Sequence, residues 1–373
     1  MKNINVCLRM TSHPLYQDLL KYPPSGVKYE IPKTASTHGD SETARNLKKW
    51  LWMQYTKYNI PQIGMQSSSD LIYSMGGTLL KTEQPWIVDA EHVAGFSNFH
   101  EKVLINNKGA IEKILLSDNC RKIMPWSLAA KKTIADFFKN KHIDEKMEVV
   151  YPAVPERKIK KTKNESIRFL FIGRTFFEKC GPQLLKAFEN ISKKYDAELT
   201  MVTVPPEEYA RKYEGFKNIR FVEPNKSREK LIRDFYSNAD VYVMPSFVDT
   251  FGGVFLESMS CSIPVITTNI YASPEIIENG KSGILMDAPL SMFNTDLSLR
   301  FWPKDRSWKK FLNMAKNMNG KFTNSIEKSM AALINDSSLR KNMGRRGSQI
   351  IKEKFSISRR NKTLKRIYGE AIH

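Results

Sequence analysis

The sequence predicts an α/β protein made of two doubly wound, Rossmann-like domains. Three observations carry this reading. Short apolar runs alternate with helix-like stretches; a break rich in proline and lysine interrupts the alternation near residue 155; and the alternation restarts with a fresh apolar run at Ile167. With 373 residues the chain has room for two well-filled cores. The expected boundaries are 1–155 and 156–355, followed by a C-terminal helix in 356–373.

The first apolar run, Val6-Cys7-Leu8, lies in a charged N-terminal stretch and reads as a strand rather than a signal peptide. Leu71-Ile72-Tyr73, Trp86-Ile87-Val88, Ile114-Leu115-Leu116 and Val149-Val150-Tyr151 are further runs closed by polar loops, each expected as a strand. Residues 41–53 and 128–139 read as helices. The break follows, with Pro152, Pro155 and Lys158, Lys160, Lys161, which is good linker chemistry. Beyond it, strands are expected at 167–172, 198–202, 219–222, 241–243 and 264–266, with helices at 181–195, 254–259, 326–333 and 356–371. No internal repeat or low-complexity tract appears.

Composition narrows the class. Hydrophobic residues make up 41%, as in ordinary globular chains, and no apolar stretch approaches the length of a membrane span. Cys7, Cys120, Cys180 and Cys261 have neither metal nor redox spacing and read as reduced packing residues, so a cytoplasmic location is expected. The net charge of +20 is densest in the tail, at Arg345, Arg346, Lys352, Lys354, Arg359, Arg360, Lys362, Lys365 and Arg366. Such a surface suits a nucleotide-sugar, an anionic membrane at the inner face or a nucleic acid, or it is simply solvated. Residues 289–321 mix Phe293, Phe301, Trp302, Trp308 and Phe311 with Lys304, Arg306, Lys309 and Lys310. That mix suits a membrane interface or an extended acceptor; alternatively it is an extra helix packed on its own domain.

The chemistry concentrates at Asp249-Thr250-Phe251-Gly252-Gly253-Val254-Phe255-Leu256-Glu257. The apolar run before it is a buried parallel strand, and the residues after Gly253 have helical spacing. Two carboxylates therefore bracket a helix start, where unpaired N–H groups favour an anion and glycine lets a ligand approach. Carboxylates accept from sugar or ribose hydroxyls. The plainer alternative is that both acids are partners of the helix dipole. Arg174 and Lys179 follow the strand that ends at Gly173; a planar fork and a compact charge both suit a diphosphate. No Asp-x-Asp pair, His/Cys cluster or phosphate-cradling Gly-x4-Gly-Lys-Ser/Thr loop is present, so no metal is expected.

The stretch from Asp249 to Glu257 resembles the acid-x7-acid signature of retaining GT-B glycosyltransferases, particularly glycosyltransferase family four. Ile263-Pro264-Val265-Ile266-Thr267, Ser273-Pro274-Glu275-Ile276-Ile277-Glu278-Asn279-Gly280, Phe171-Ile172-Gly173-Arg174 and Lys179 extend the resemblance through the second half of the chain. Asp249 stands where the family usually has Glu, and Cys180 intervenes before Gly181.

The resemblance implies two Rossmann-like domains facing each other across a cleft, an acceptor-side first domain, a nucleotide-sugar-binding second domain and a C-terminal helix returning to the first. It implies that Glu257 holds the ribose hydroxyls, Asp249 the donor sugar, and Arg174 with Lys179 the diphosphate. Gly252, Gly253 and Val254 would offer backbone N–H groups, backbone near Glu223 would meet the base, and His92 would touch the donor sugar. His13 and His38-Gly39-Asp40 are weaker candidates, and Glu275 reads first as a helix-start residue.

The expected function is metal-independent, retaining transfer of a hexose-type sugar from a UDP-, GDP- or ADP-sugar to a glycan or lipid-linked acceptor, with no nucleic acid as partner. A glycoside hydrolase or phosphorylase using Asp249 and Glu257, and a basic nucleic-acid-binding protein, are the alternatives.

Overall fold

The computed structural model describes the chain apart from residues 1–2, 11–14, 33–46, 48–49, 52–53, 56–57, 158, 160–164, 226 and 319. The expected helix at 41–53 falls largely outside the described residues, as do His13 and His38-Gly39-Asp40. The chain divides into two compact units. One comprises Met1–Ala153, Trp302–Arg306 and Ile357–His373; the other comprises Val154–Phe301 and Ser307–Ser356.

In the first unit, β1 (Ile4–Arg9), β2 (Val27–Glu30), β4 (Leu71–Ser74), β6 (Trp86–Ala90) and β7 (Cys120–Pro125) form a parallel sheet in the order β2-β1-β4-β6-β7. The short strands β3 (Gln62–Gly64) and β5 (Leu79–Lys81) pair separately. Every residue of β4 and β6 is buried, which explains their uninterrupted apolar runs. The helix Ile357–Ala371 belongs to this unit. Buried Arg360 of that helix donates to the Tyr22 carbonyl at 2.9 Å, and the Tyr368 and Tyr29 hydroxyls meet at 3.0 Å.

Two expected strands of this unit are corrected. Ile114-Leu115-Leu116 ends the helix Lys108–Leu116, whose buried residues Ile111 and Leu115 are one turn apart, so the period is helical. Val149-Val150-Tyr151 is irregular: Glu148 N–H donates to Ile123 and Val150 N–H to Pro125, each at 3.0 Å, but Pro152 has no N–H to continue. The strand at this edge is instead β7, hidden in the sequence by exposed Arg121 and half-buried Lys122.

The second unit holds six parallel strands: β8 (Ile167–Ile172), β9 (Ala197–Val202), β10 (Ile219–Val222), β11 (Val241–Met244), β12 (Val265–Thr268) and β13 (Gly283–Met286). Their order is β10-β9-β8-β11-β12-β13. Strand order therefore reverses direction between β8 and β11, and open α/β sheets bind ligands beyond the carboxyl ends of strands at such a point.

The aromatic residues of 289–321 pack inward. Phe293, Phe301 and Phe311 are buried; Phe293 stacks on Tyr271 at 4.4 Å and Trp308 on Phe311 at 4.6 Å. The helix Ser307–Asn317 thus extends its own unit's core, because ring area gains more from the core than from the surface. Buried rings are not available to a membrane interface. Among the described residues no helix is long and apolar enough to cross a membrane, and all four cysteines are buried and free.

Candidate active site

The site is assembled from the two loops that leave β8 and β11. After β8 the chain passes through buried Gly173, where a Cβ would lie 2.9 Å from the Phe171 ring, and then exposed Arg174. It turns at Cys180, held at φ 58°, into the helix Gly181–Ser192 with Pro182 in the first turn. A Cβ at Gly181 would sit 2.4 Å from the ring of Phe176, so the tight entry requires glycine. Burial pushes the Cys180 thiol well up, which makes it a packing group.

The loop after β11 is tied to the first by Phe247 N–H, which donates to the Glu178 carbonyl at 2.9 Å. Lys179 then crosses over. Its Nζ lies 2.8 Å from Asp249 Oδ2 and also donates to the Val248 carbonyl. Asp249 Oδ1 accepts from Phe251 N–H at 3.2 Å, closing a local turn. Gly252 follows at φ 77°, and the helix Gly253–Ser260 begins with no side chain capping it. Its first N–H groups, including those of Gly253 and Val254, are the orphan donors of a helix start.

Glu257 lies one turn into that helix, with 7% of its surface exposed. Arg228 Nε is 2.6 Å from its Oε1, and the Tyr236 hydroxyl donates to its Oε2 at 3.0 Å. Tyr236 stacks on Tyr242 of β11 with centroids 6.0 Å apart, and Tyr242 donates to the carbonyl of Ile172 at 3.1 Å. Burial and then the Glu257 charge push the Tyr236 phenol well above its usual value. Tyr242 is pushed up by burial, then by Glu257 and Asp249, so one phenol senses both carboxylates. Both phenols stay protonated and act as donors.

The structure thus brings together Gly173, Lys179, Asp249, Gly252, Gly253, Val254 and Glu257 around the ends of β8 and β11. Neither carboxylate caps the helix start: Asp249 closes its own turn and pairs with Lys179, while Glu257 faces Arg228. Glu223 is exposed after β10 and accepts from Asn225 Nδ2 at 2.8 Å within its own loop. Glu275 lies in the four-residue helix Ser273–Ile276, and its carbonyl accepts from Lys354. His92 is in the first unit, buried, and its Nδ1 accepts from Ala94 N–H at 2.9 Å as the cap of a 3-10 turn. The sequence does not mark Arg228, Tyr236 and Tyr242 as part of the site. Arg228 sits among Lys226, Lys230 and Arg233, so nothing in the local sequence marks it as buried.

Residues 155–318 match the model of the family described as glycosyl transferases group 1. Similarity also extends to the capsular polysaccharide biosynthesis glycosyltransferase CapM of Staphylococcus aureus, 26% identical over 205 residues, covering 54% of this chain and 45% of that one. The chain spans less than half the length of the curated relatives it matches. Among solved structures, sucrose-phosphate synthase from Thermosynechococcus elongatus superposes with a TM-score of 0.65 at 13% identity, covering 99% of each chain. Anabaena HepE in complex with UDP and glucose gives 0.61 at 13% identity, covering 97% of this chain and 98% of that one. The protein therefore has the GT-B fold, and its residues 155–318 are similar to the group 1 glycosyl transferases.

Proposed function

We propose that this protein is a retaining glycosyltransferase that moves a hexose-type sugar from a nucleotide-diphosphate sugar to a glycan or lipid-linked acceptor, without a metal ion. The observation that carries this reading is the joint presence, beyond the ends of β8 and β11, of an uncapped helix start, the Lys179–Asp249 pair and the buried carboxylate of Glu257. Glycoside hydrolysis would use the two carboxylates but would leave the cations and the helix start without a task.

In the proposed reaction the bond from the anomeric carbon to the distal phosphate oxygen breaks. A bond to the acceptor oxygen forms on the same face, and the leaving phosphate takes the acceptor's proton. Negative charge gathers on the diphosphate. Arg174, the third N–H of the Lys179 ammonium and the N–H groups of Gly253 and Val254 oppose it, supplying the positive charge that a divalent ion supplies elsewhere. Asp249 accepts from hydroxyls of the donor sugar, and Glu257 from those of the ribose. Backbone near Glu223 meets the base. CapM, a capsular polysaccharide enzyme by name, is the precedent for a glycan acceptor.

The test is to offer UDP-, GDP- and ADP-hexoses with polysaccharide and glycolipid acceptors in excess chelator. Nucleoside diphosphate release, with transfer that keeps the donor's anomeric configuration, supports the reading. Sugar freed from glycans without any nucleotide, or activity only on adding Mg²⁺ or Mn²⁺, contradicts it.

A further inference from the structure

Glu257 differs from the other proposed contact residues in how fully its surroundings define it. Only 7% of the residue is exposed, and each carboxylate oxygen already faces one protein group: Oε1 the Arg228 guanidinium at 2.6 Å, Oε2 the Tyr236 hydroxyl at 3.0 Å. The Arg228 and Glu257 side chains are each only 9% exposed, so the pair meets in a largely dry setting. A lone carboxylate there would turn toward water. The Arg228 charge beside Oε1 and the Tyr236 donor on Oε2 hold it in place.

The anchors are themselves held. Tyr236 stacks on Tyr242 with an interplanar angle of 18°, Tyr242 is tied to the end of β8 at the Ile172 carbonyl, and the Tyr236 hydroxyl also lies 3.4 Å from the Val254 carbonyl. Arg228 opens the helix Arg228–Asp234, whose start is capped by Ser227 Oγ accepting from Lys230 N–H at 3.3 Å. The orientation of Glu257 is thus set by the segment between β10 and β11 and not by its own helix alone.

We propose that Arg228 and Tyr236 are positioning residues that hold Glu257 in one orientation, with both oxygens turned to accept from the two neighbouring hydroxyls of a ribose. This rests on the reading of Glu257 as the ribose contact. A carboxylate that accepts through both oxygens matches a vicinal diol and is left half unused by a 2′-deoxyribose. The preference for ribonucleotide over deoxyribonucleotide is therefore written in Arg228 and Tyr236, although neither has to touch the ligand.

Calorimetric titration of the folded wild type and of Arg228→Met, Arg228→Lys and Tyr236→Phe with UDP, GDP, ADP and CDP and their 2′-deoxy counterparts tests this. The wild type should bind one ribonucleotide about tenfold more tightly than its deoxy form, the size expected for a buried hydroxyl contact. Tyr236→Phe and Arg228→Met should bring that ratio toward one by weakening the ribonucleotide alone, and Arg228→Lys should restore part of it. Should Arg228→Met fail to fold, Tyr236→Phe alone decides. Equal weakening of both nucleotide forms, or an unchanged ratio in a wild type that discriminates, overturns the positioning role and leaves the ribose contact standing. A wild type that does not discriminate, or that binds none of these nucleotides, overturns the ribose reading and this inference with it.

Discussion

At the scale of single residues, the pairing of Lys179 with Asp249 makes two proposed contacts into one unit. The ammonium that would face the diphosphate is aimed by the carboxylate that would face the sugar, at 2.8 Å. Lys179→Ala and Asp249→Ala should each lower turnover about a hundredfold, as for loss of a main charge-stabilising donor. The double variant should fall well short of the product of the two, because each removal already disables the other partner. Initial rates on the four proteins measure this, and full additivity would mean that the two side chains act separately. Away from the site, Glu189 makes a stability prediction. Burial pushes its carboxyl up, but hydrogen bonds from Lys186, Tyr213 and Lys212 together outweigh that and lower it from 4.5 to about 2. A depressed acid stabilises the fold above its unfolded value and loses that contribution as pH falls through the folded one. Glu189→Gln should therefore be less stable than the wild type at neutral pH, with the gap narrowing as pH drops from 4.5 toward about 2. Denaturant melts across that range check it; a gap that stays constant with pH would show that the bonds to Glu189 do not depend on its charge.

At the scale of elements, the helix start at Gly253 depends on the residue before it. Gly252 sits at φ 77°, and a Cβ there would be 2.3 Å from the fully buried ring of Phe255. Gly252→Ala combines a disfavoured backbone region with a clash, so a loss of about 1–3 kcal/mol is expected, visible as a drop of several degrees in Tm. An unchanged Tm would mean that the turn relaxes freely and that glycine is not required there. This element was legible in the sequence because a strand buried on both faces, such as β11, is an unbroken apolar run, and because its glycines and acids follow at once. The same logic misled at residues 114–116, where three apolar residues belong to a helix, and it missed β7, whose buried residues are interrupted by two cations. Arg228 and Tyr236 were illegible for a different reason. Their partner, Glu257, lies beyond another strand, and no local period or spacing encodes a contact of that range.

At the scale of the whole molecule, the charge of +20 is less available than its distribution along the chain implied. In the tail, Arg360 is buried against the Tyr22 carbonyl, Arg346 Nε donates to Glu278 at 2.8 Å, Lys354 to the Glu275 carbonyl at 2.7 Å and Arg366 to Glu370 at 2.8 Å. Lys362 and Lys365 are exposed. Any attraction to an anionic bilayer then rests on such exposed cations, at about 1 kcal/mol each, and fades with salt. Sedimentation with anionic and neutral vesicles should show weak, salt-sensitive binding that Lys362→Glu with Lys365→Glu diminishes. No binding to anionic vesicles at low salt would favour an acceptor free of the membrane. The central claim, that the second unit is built to hold a nucleoside diphosphate, is tested most directly by melting the protein with UDP, GDP, ADP and CDP in excess chelator. One of them, at a hundred times its Kd, should add about 2.7 kcal/mol to the folded state. That corresponds to a rise in Tm of roughly 5–10 °C for a domain of this size, and Glu257→Ala should lose most of it. No shift with any of the four nucleotides would contradict the account.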